Sequence, residues 1–207
     1  MADLAKTYLF RMSHIDNISH IWEHGITKID SANANKDYKS IGDGSLINNR
    51  ALFLMPNGMT LGNYIPFYFW YRMPMLYVIQ KGFNEVNPVT AENIVYCVSS
   101  VAEIINQGLD YVFTDGHGID SFTSFYSSED SSRIDELLDF DAIRIGYWVD
   151  EIDTDKKRRK EAEFLVVSDI PNTAILVYVV YNQIAKEKLV TIGIPENIIH
   201  IKTNYYF

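Results

Sequence analysis

One carboxylate in this chain stands where an apolar strand begins. Glu163 precedes the run Phe164-Leu165-Val166-Val167, and the basic run Lys156-Lys157-Arg158-Arg159-Lys160 comes shortly before it. Acidic residues are depleted in strands, so a buried glutamate there must be paired, hydrogen-bonded or used in chemistry. A fixed carboxylate can stabilise positive charge in a transition state or accept a proton. The alternative is a strand-end glutamate that pairs with a nearby lysine.

Two further segments carry residues that suit an anionic ligand. Gly42-Asp43-Gly44-Ser45 is a glycine-rich turn whose backbone can approach a ligand closely, although a merely flexible turn has the same composition. Arg50 lies directly before a predicted short strand, where a guanidinium can hold a diphosphate in a bidentate manner. The alternative for Arg50 is an ordinary surface arginine. His117 stands between two glycines at the end of a predicted strand, where it is accessible and can exchange protons near neutral pH.

A metal-binding pattern also occurs near the start of the chain. His20-Ile21-Trp22-Glu23-His24 matches H-x-x-E-H, in which two histidines one helical turn apart can share a metal ion. Catalytic zinc needs a third protein ligand, and no distant partner stands out. The pattern therefore favours two exposed histidines on a helix, and we expect no metal site.

The amino-acid composition limits the classes of protein to which this chain can belong. A chain of 207 residues with 47% hydrophobic residues is expected to form a single domain over residues 1–207. The net charge of −9 argues against non-specific coating of nucleic acid, but it allows a local basic groove. The single cysteine, Cys97, fits a reducing cytoplasm. We expect no signal segment and no association with a membrane.

The residue pattern predicts mixed α+β structure with a largely antiparallel core and short helices. Two polar segments, residues 29–50 and 115–132, are predicted as long loops, the second with embedded aromatic residues. Residues 134–150 stay ambiguous between a short helix and an extended piece. Strands are predicted at residues 7–12, 51–55, 65–71, 93–99, 111–114, 162–168, 173–180 and 198–202, and helices at 17–23, 74–80, 101–107 and 181–190.

Several of these segments together resemble the DarT family of DNA ADP-ribosyltransferase toxins from bacterial toxin–antitoxin pairs. The most specific strings are Pro66-Phe67-Tyr68-Phe69, Pro74-Met75-Leu76-Tyr77, Phe113-Thr114-Asp115-Gly116-His117 and Ala162-Glu163-Phe164-Leu165-Val166. Weaker matches are residues 9–14, 41–50, 94–96 and 157–160, so the resemblance spans nearly the whole chain. It implies an ADP-ribosyltransferase fold, in which a split antiparallel β core holds NAD in a cleft.

The resemblance also implies a reaction, a partner and roles for individual residues. The reaction is transfer of ADP-ribose from NAD, as co-substrate, to a base of single-stranded DNA, with thymine as the first choice. A macrodomain-type antitoxin is the implied partner. Catalytic roles fall on Glu163, Arg50 and His117; NAD-binding roles fall on His14, Gly42, Arg50, Tyr71 and Met75; DNA-binding roles fall on Lys157, Arg158 and Phe122. Which of Lys157 and Arg158 enters the site is left open, because the match can slip by one residue there.

Three other hypotheses remain open from the sequence. A transferase of the same fold can act on guanine, RNA or protein, and the poorly matching loop at residues 119–132 is where that difference would lie. A catalytically silent NAD-binding or nucleic-acid-binding module is disfavoured by Glu163 and Arg50. A metal hydrolase would use His20 and His24.

Overall fold

The computed structural model describes residues 2–207. Within that range the chain forms eight strands and eight α-helices, with several short 3-10 turns between them. The strands are β1 (Tyr8–His14), β2 (Ile65–Tyr68), β3 (Ile94–Ser100), β4 (Tyr111–Thr114), β5 (Phe125–Tyr126), β6 (Glu163–Val166), β7 (Val177–Val180) and β8 (Ile199–Ile201). The helices are α1 (Ile18–His24), α2 (Gly44–Leu52), α3 (Pro74–Lys81), α4 (Val101–Asn106), α5 (Ile134–Leu137), α6 (Phe140–Arg144), α7 (Lys156–Lys160) and α8 (Gln183–Thr191).

All eight strands of this range lie in one sheet, in the order β5-β4-β6-β2-β1-β3-β7-β8. Neighbouring strands are antiparallel except β7 and β8, which are parallel. The prediction of α+β structure with a mainly antiparallel core and short helices is therefore confirmed.

The sheet is nearly divided between β2 and β1. These two central strands pair at one position, Phe10 with Tyr68, whereas β1 pairs with β3 along its whole length. Arg11 crosses the gap, where its Nη1 donates to the carbonyl of Pro66 at 2.9 Å. This gap is the split that the resemblance implied, and it opens room for a ligand between the two halves of the sheet.

Apolar residues cover both faces of the sheet because successive residues of a strand point to opposite sides. On β1, Leu9 packs into the cluster that includes Phe67 and Phe164, whereas Phe10 packs with Leu76 of α3 on the other face. All seven residues of β3 are buried, so this strand is covered on both sides. The gap between β2 and β1 therefore lies in a sheet whose two faces are both covered by packed apolar side chains.

One predicted element is wrong, and it matters for the site. Residues 51–55 were expected to be a strand after a long loop, but α2 runs from Gly44 to Leu52 and Leu54 makes only an isolated bridge to Thr60. Asp43 caps the helix, since its carboxylate accepts from the backbone N–H groups of Ser45 and Leu46. No residue of α2 is buried, so the helix lacks the apolar stripe that marks most helices in a sequence.

Other boundaries shift by a few residues. β2 ends at Tyr68 rather than at residue 71, and β7 begins at Val177 because Asn172–Ala174 forms a 3-10 turn. The ambiguous segment 134–150 contains the short helices α5 and α6. The second predicted loop contains β5 and the 3-10 turn Ser128–Arg133.

Gly62 lets α2 approach the 3-10 turn Leu61–Asn63. A Cβ on Gly62 would lie 2.7 Å from the Cα of Ala51 in α2. We expect Gly62→Ala to lower the free energy of unfolding by about 1–3 kcal/mol, because backbone must move to relieve the overlap. Urea unfolding measures this change. Gly44→Ala is the control, since its Cβ would meet nothing within 4 Å, and equal stabilities of the two variants would contradict the packing argument.

Candidate active site

A pocket opens over the split in the sheet. Its walls come from β1, β2, α2 with the residues just before it, α3 and the loop after β4. The residues that line it are Arg11, Met12, Ile41, Gly42, Asp43, Leu46, Ile47, Arg50, Pro66, Tyr68, Met75, Ile79 and His117. Four residues expected from the sequence, Gly42, Arg50, Met75 and His117, therefore meet in one place.

Glu163 sits at the inner end of this region as the first residue of β6. It is fully buried, and it pairs across the sheet with Tyr68 of β2, which lines the pocket. Its backbone N–H donates to the Oγ1 of Thr114 in β4 at 2.9 Å. Neighbouring strands on both sides thus fix where the carboxylate enters the site.

A buried ion pair joins Glu163 to Arg50. Nη1 of Arg50 donates to Oε1 at 2.9 Å and also lies 2.7 Å from Oε2. Oε1 accepts a second hydrogen bond from the backbone N–H of Gly118, again at 2.9 Å. The Arg50 side chain is 15% exposed, so water screens the pair weakly. The pair therefore fixes the carboxylate in one orientation.

Two polar atoms of this pair have no hydrogen-bond partner among residues 2–207. They are Nη2 of Arg50 and Oε2 of Glu163, whose short approach to Nη1 lacks hydrogen-bond geometry. Buried polar atoms are rarely left unpaired, because each such atom costs about 1–3 kcal/mol. The site thus offers one buried donor and one buried acceptor to a ligand. NAD fits this pair, since its phosphates accept hydrogen bonds and its ribose hydroxyls donate them.

His117 lines the pocket beside the ion pair. Burial lowers the pKa of its imidazole below the ordinary value, although the charge of Glu163 acts in the opposite direction. The ring is therefore neutral at pH 7. The backbone N–H of His117 donates to the carbonyl of Arg158 at 3.1 Å, which ties the loop after β4 to α7.

The glycines on either side of His117 are needed for close packing. A Cβ on Gly118 would lie 2.9 Å from Leu61 and 3.2 Å from Oε1 of Glu163. A Cβ on Gly116 would lie 2.4 Å from Nη1 of Arg158. Gly118 was not among the residues expected from the sequence, although a histidine between two glycines is itself a signal for a close backbone approach.

Two expected NAD-binding residues lie away from the pocket lining. Tyr71 stacks face to face on Tyr205, with ring centroids 3.6 Å apart. His14 ends β1, and its Nδ1 accepts from the backbone N–H of Asp16. Their roles stay predictions. Arg11 and Tyr68 line the pocket instead, and neither was expected there from the sequence.

The basic run before Glu163 forms α7, and most of its charge is neutralised within the protein. Lys156 pairs with Asp150, and Arg159 pairs with aspartates including Asp153. Lys160 is buried and donates to the carbonyls of Ile143 and Ile145. Its pKa falls to about 8 because burial disfavours the ammonium.

Lys157 and Arg158 differ sharply in their surroundings. Arg158 is 11% exposed and binds Asp155 at 2.6 Å and Asp115 at 2.9 Å. Lys157 is exposed and has no ion-pair partner within the described part of the chain. The geometry therefore favours Lys157 over Arg158 as the cation available to a ligand.

Phe122 projects from the loop that carries His117. Its ring is 82% exposed, and the loop is closed by Thr123, whose Oγ1 donates to the carbonyl of His117 at 2.8 Å. The neighbouring aromatic residues Phe53 and Phe125 stack on each other with centroids 6.3 Å apart. An exposed aromatic side chain thus stands on the same loop as a residue of the pocket.

His20 and His24 lie on α1 with ring centroids 4.8 Å apart, and His20 contacts the carbonyl of Asn33 through Nε2. Across residues 2–207 no group of three or more His, Cys, Asp or Glu side chains is placed to hold a metal ion. Nor does any helix in that range have the length and apolar character needed to cross a membrane.

Comparison with known proteins places this geometry in a family. The family described as "ssDNA thymidine ADP-ribosyltransferase, DarT" matches residues 10–207. A DNA ADP-ribosyl transferase of Thermus sp. (strain 2.9) is 35% identical over 190 residues, which cover 90% of this chain and 87% of that protein. A second relative is a DNA ADP-ribosyl transferase–DNA ADP-ribosyl glycohydrolase fusion protein of Thermosipho africanus, 26% identical over 86% of this chain and 43% of the fusion.

Solved structures of DarT proteins are also similar to this chain. DarT of Thermus sp. 2.9 in complex with ADP-ribosylated ssDNA superposes with a TM-score of 0.83 and 30% identity, covering 97% of this chain and 96% of the other. The same DarT in complex with NAD+ gives a TM-score of 0.79 and 31% identity, covering 97% and 98%. With the split sheet and the buried Arg50–Glu163 pair, these matches show that the chain belongs to the DarT family of single-stranded-DNA ADP-ribosyltransferases.

Proposed function

We propose that this protein transfers ADP-ribose from NAD+ to thymine in single-stranded DNA, with Glu163 and Arg50 as its central catalytic pair. The observation that carries the proposal is the buried ion pair, which leaves Nη2 of Arg50 and Oε2 of Glu163 without hydrogen-bond partners next to a pocket that Arg50 lines. The Thermus relatives in complex with NAD+ and with ADP-ribosylated ssDNA support the choice of both substrates.

Glu163 acts on the charge that develops in the reaction. Bound NAD+ supplies an ADP-ribosyl group whose ribose becomes positively charged as the bond to nicotinamide breaks. A carboxylate that is already fixed by Arg50 and Gly118 needs no reorganisation to stabilise this charge. Oε2, which lacks a hydrogen-bond partner within residues 2–207, is the oxygen available to the ribose.

Arg50 has two tasks in this arrangement. One nitrogen, Nη1, orients Glu163, and the other, Nη2, is free to bind an oxygen of the substrate. Arg11 adds a second positive charge to the lining of the pocket. His117 and Tyr68 supply flat rings beside the ion pair, against which nicotinamide or the acceptor base can pack.

The DNA strand is held by stacking more than by charge. Phe122 is exposed on the loop of His117, and one stacked base contributes about 1–3 kcal/mol. Lys157 is the exposed cation of α7, whereas its basic neighbours are paired or buried. This explains how a chain of net charge −9 can bind single-stranded DNA.

We further propose that the protein acts as a toxin whose antagonist is a macrodomain-type antitoxin. The Thermosipho africanus relative, which joins a DNA ADP-ribosyl transferase to a DNA ADP-ribosyl glycohydrolase, supports a partner that removes the modification.

Glu163→Gln should lower the rate of transfer by about 10²–10³-fold, as expected when a preorganised electrostatic contact is lost. Gln keeps the volume and can still accept from Gly118, so NAD binding should persist. Mass spectrometry of oligonucleotides after incubation with NAD+ measures the rate, and calorimetry measures the binding. Glu151→Gln, at an exposed glutamate, is the control. A transfer rate near that of wild type in Glu163→Gln would remove Glu163 from the reaction.

Arg50→Gln should weaken NAD binding by about 1.5–3 kcal/mol, because charge-assisted hydrogen bonds contribute that much. It should also destabilise the fold by about 3–5 kcal/mol, because Glu163 is left as a buried, uncompensated charge. The double variant Arg50→Gln with Glu163→Gln should recover part of this loss in urea unfolding. Additive losses would show that the two side chains do not interact, and unchanged NAD affinity would exclude Arg50 from the binding site.

The enzyme should label single-stranded oligonucleotides and spare the annealed duplex, because extrusion of a base costs roughly a few kcal/mol. Phe122→Ala should reduce labelling about 5–150-fold through loss of stacking. Ile152→Ala, at another exposed apolar residue, is the matched control. The dependence on salt should be shallow, about one phosphate contact, since α7 presents Lys157 alone.

A panel of oligonucleotides that each lack one base tests the acceptor. Labelling that disappears with thymine supports the proposal. Labelling that survives the loss of thymine but not of guanine would assign the alternative specificity, and equal labelling of duplex and single strand would contradict the stacking model.

A further inference from the structure

A long exposed segment leads into one wall of the pocket. The structure describes every residue from 27 to 40, and each of them is exposed or half-buried. The segment continues directly into Ile41, Gly42 and Asp43, which line the pocket. Packing holds a segment with so little buried surface only weakly, so its position at the pocket depends on its hydrogen bonds.

One buried side chain holds the end of this segment. Asn17, which is 1% exposed, lies in the 3-10 turn that follows β1. Its Nδ2 donates to the backbone carbonyl of Lys39 at 2.9 Å, and its Oδ1 accepts from the backbone N–H of Lys39 at 2.8 Å. The amide therefore satisfies both backbone groups of a residue that lies just before Ile41, as a paired strand would do.

The same amide is also bound to the opposite wall of the pocket. Nδ2 of Asn17 donates to Oγ of Ser13, a buried residue of β1, at 3.1 Å. Ser13 directly follows Met12, which lines the pocket from β1. Asn17 therefore joins β1 to the segment that carries residues 41–43, and the separation of these two walls depends on its side chain.

The beginning of the segment and the catalytic pair are held by other contacts. The carboxylate of Asp169 accepts from the backbone N–H of Lys28 at 2.7 Å. At the far end of α2, the backbone N–H of Leu61 donates to the carbonyl of Phe53 at 2.8 Å, and Arg50 is bound to Glu163. Loss of the Asn17 contacts should therefore release the pocket wall at residues 41–43 and leave the ion pair in place.

This inference rests on the proposed function, in which NAD+ is the ADP-ribose donor. We infer that Asn17 is a positioning residue for NAD+, because it holds residues 41–43 where they contact the co-substrate. Without Asn17, the wall occupies its binding position for only a fraction of the time. The apparent dissociation constant then rises by the inverse of that fraction, whereas saturating NAD+ restores the bound position and hence the rate of transfer.

The test measures binding and turnover separately. Calorimetry with carba-NAD+, an analogue whose ADP-ribosyl group is not transferred, gives the affinity without DNA, and labelling of an oligo-thymidine single strand gives kcat and KM. Asn17→Ala should raise the dissociation constant for carba-NAD+ and the KM for NAD+ about 5–150-fold, as expected for two lost hydrogen bonds. Its kcat at saturating NAD+ should stay within about two-fold of wild type.

A matched control separates positioning from general stability. The amide of Asn182 caps α8 and donates to Glu92 at 2.7 Å, and Asn182 lies outside the residues that line the pocket. Asn182→Ala should lower the melting temperature and keep the wild-type affinity for carba-NAD+. An equal loss of affinity in Asn182→Ala and Asn17→Ala would overturn the inference.

A variant on the segment itself tests the backbone contact and leaves the buried asparagine in place. Lys39→Pro removes the N–H that donates to Oδ1 of Asn17, whereas Lys39→Ala keeps it and also lacks the ammonium group. Lys39→Pro should bind carba-NAD+ about 2–10-fold more weakly than Lys39→Ala, as expected for one hydrogen bond. This comparison remains decisive even where Asn17→Ala folds poorly, and equal affinities of the two Lys39 variants would contradict the inference.

Hydrogen exchange reports on the contact without reference to NAD+ or DNA. The backbone N–H of Lys39 should exchange faster in Asn17→Ala than in wild type, and Asn182→Ala should match wild type. Unchanged exchange in Asn17→Ala would show that Asn17 does not hold the segment.

Two further outcomes would assign Asn17 another role. A lower melting temperature of Asn17→Ala with unchanged affinity for carba-NAD+ would make it a purely structural residue, and a fall in kcat with unchanged KM would place it in the chemical step. Both overturn the inference. Failure of the proposed function has a different signature, because wild-type protein would then bind carba-NAD+ but label no single-stranded DNA, and the comparison of affinities would still test Asn17.

Discussion

The buried contact between Arg50 and Glu163 is the interaction on which the site depends. Ion pairs of this kind seldom add net stability, because both charges must leave water. The chain nevertheless places the pair between two strands and a helix, with one atom of each partner unpaired. A purely structural ion pair would be expected to satisfy all its polar atoms. The arrangement is better understood as a preorganised site, where the cost of desolvation is borne in the free protein rather than during the reaction.

The division of the sheet follows from the same requirement. Glu163 needs strands on both sides to fix its backbone, and β4 and β2 provide them. A ligand that reaches its carboxylate needs open space, and the single paired position between β2 and β1 provides that space. Arg11 bridges the gap by its side chain rather than by backbone pairing. The sheet is therefore continuous enough to be rigid, and the gap between β2 and β1 still leaves room for a ligand to bind.

Sequence patterns located the reactive groups better than they located the elements that carry them. Glu163 at a strand start, His117 between glycines and Arg50 near a glycine-rich turn were all visible, because their residue types are unusual in those positions. The helix that carries Arg50 was missed since α2 buries no side chain and so has no apolar period. The one local sequence signal for this helix was the capping residue Asp43, which is hard to recognise within a polar segment. Tyr68 and Arg11 lie on strands whose neighbours are known only from the folded sheet.

The run of basic residues in the sequence was the least reliable predictor of where DNA binds. Five consecutive basic residues suggested a surface for a DNA backbone, but partners distant in sequence, such as Asp115 and Asp150, neutralise much of that charge. Lys160 is even buried, where it donates to two carbonyls at the C-terminal end of α6, those of Ile143 and Ile145. α7 therefore serves mainly to fix the chain that enters β6, the strand that begins at Glu163. The guanidinium of Arg50 and the backbone N–H of Gly118, rather than the number of basic residues nearby, are what fix the Glu163 carboxylate in one orientation.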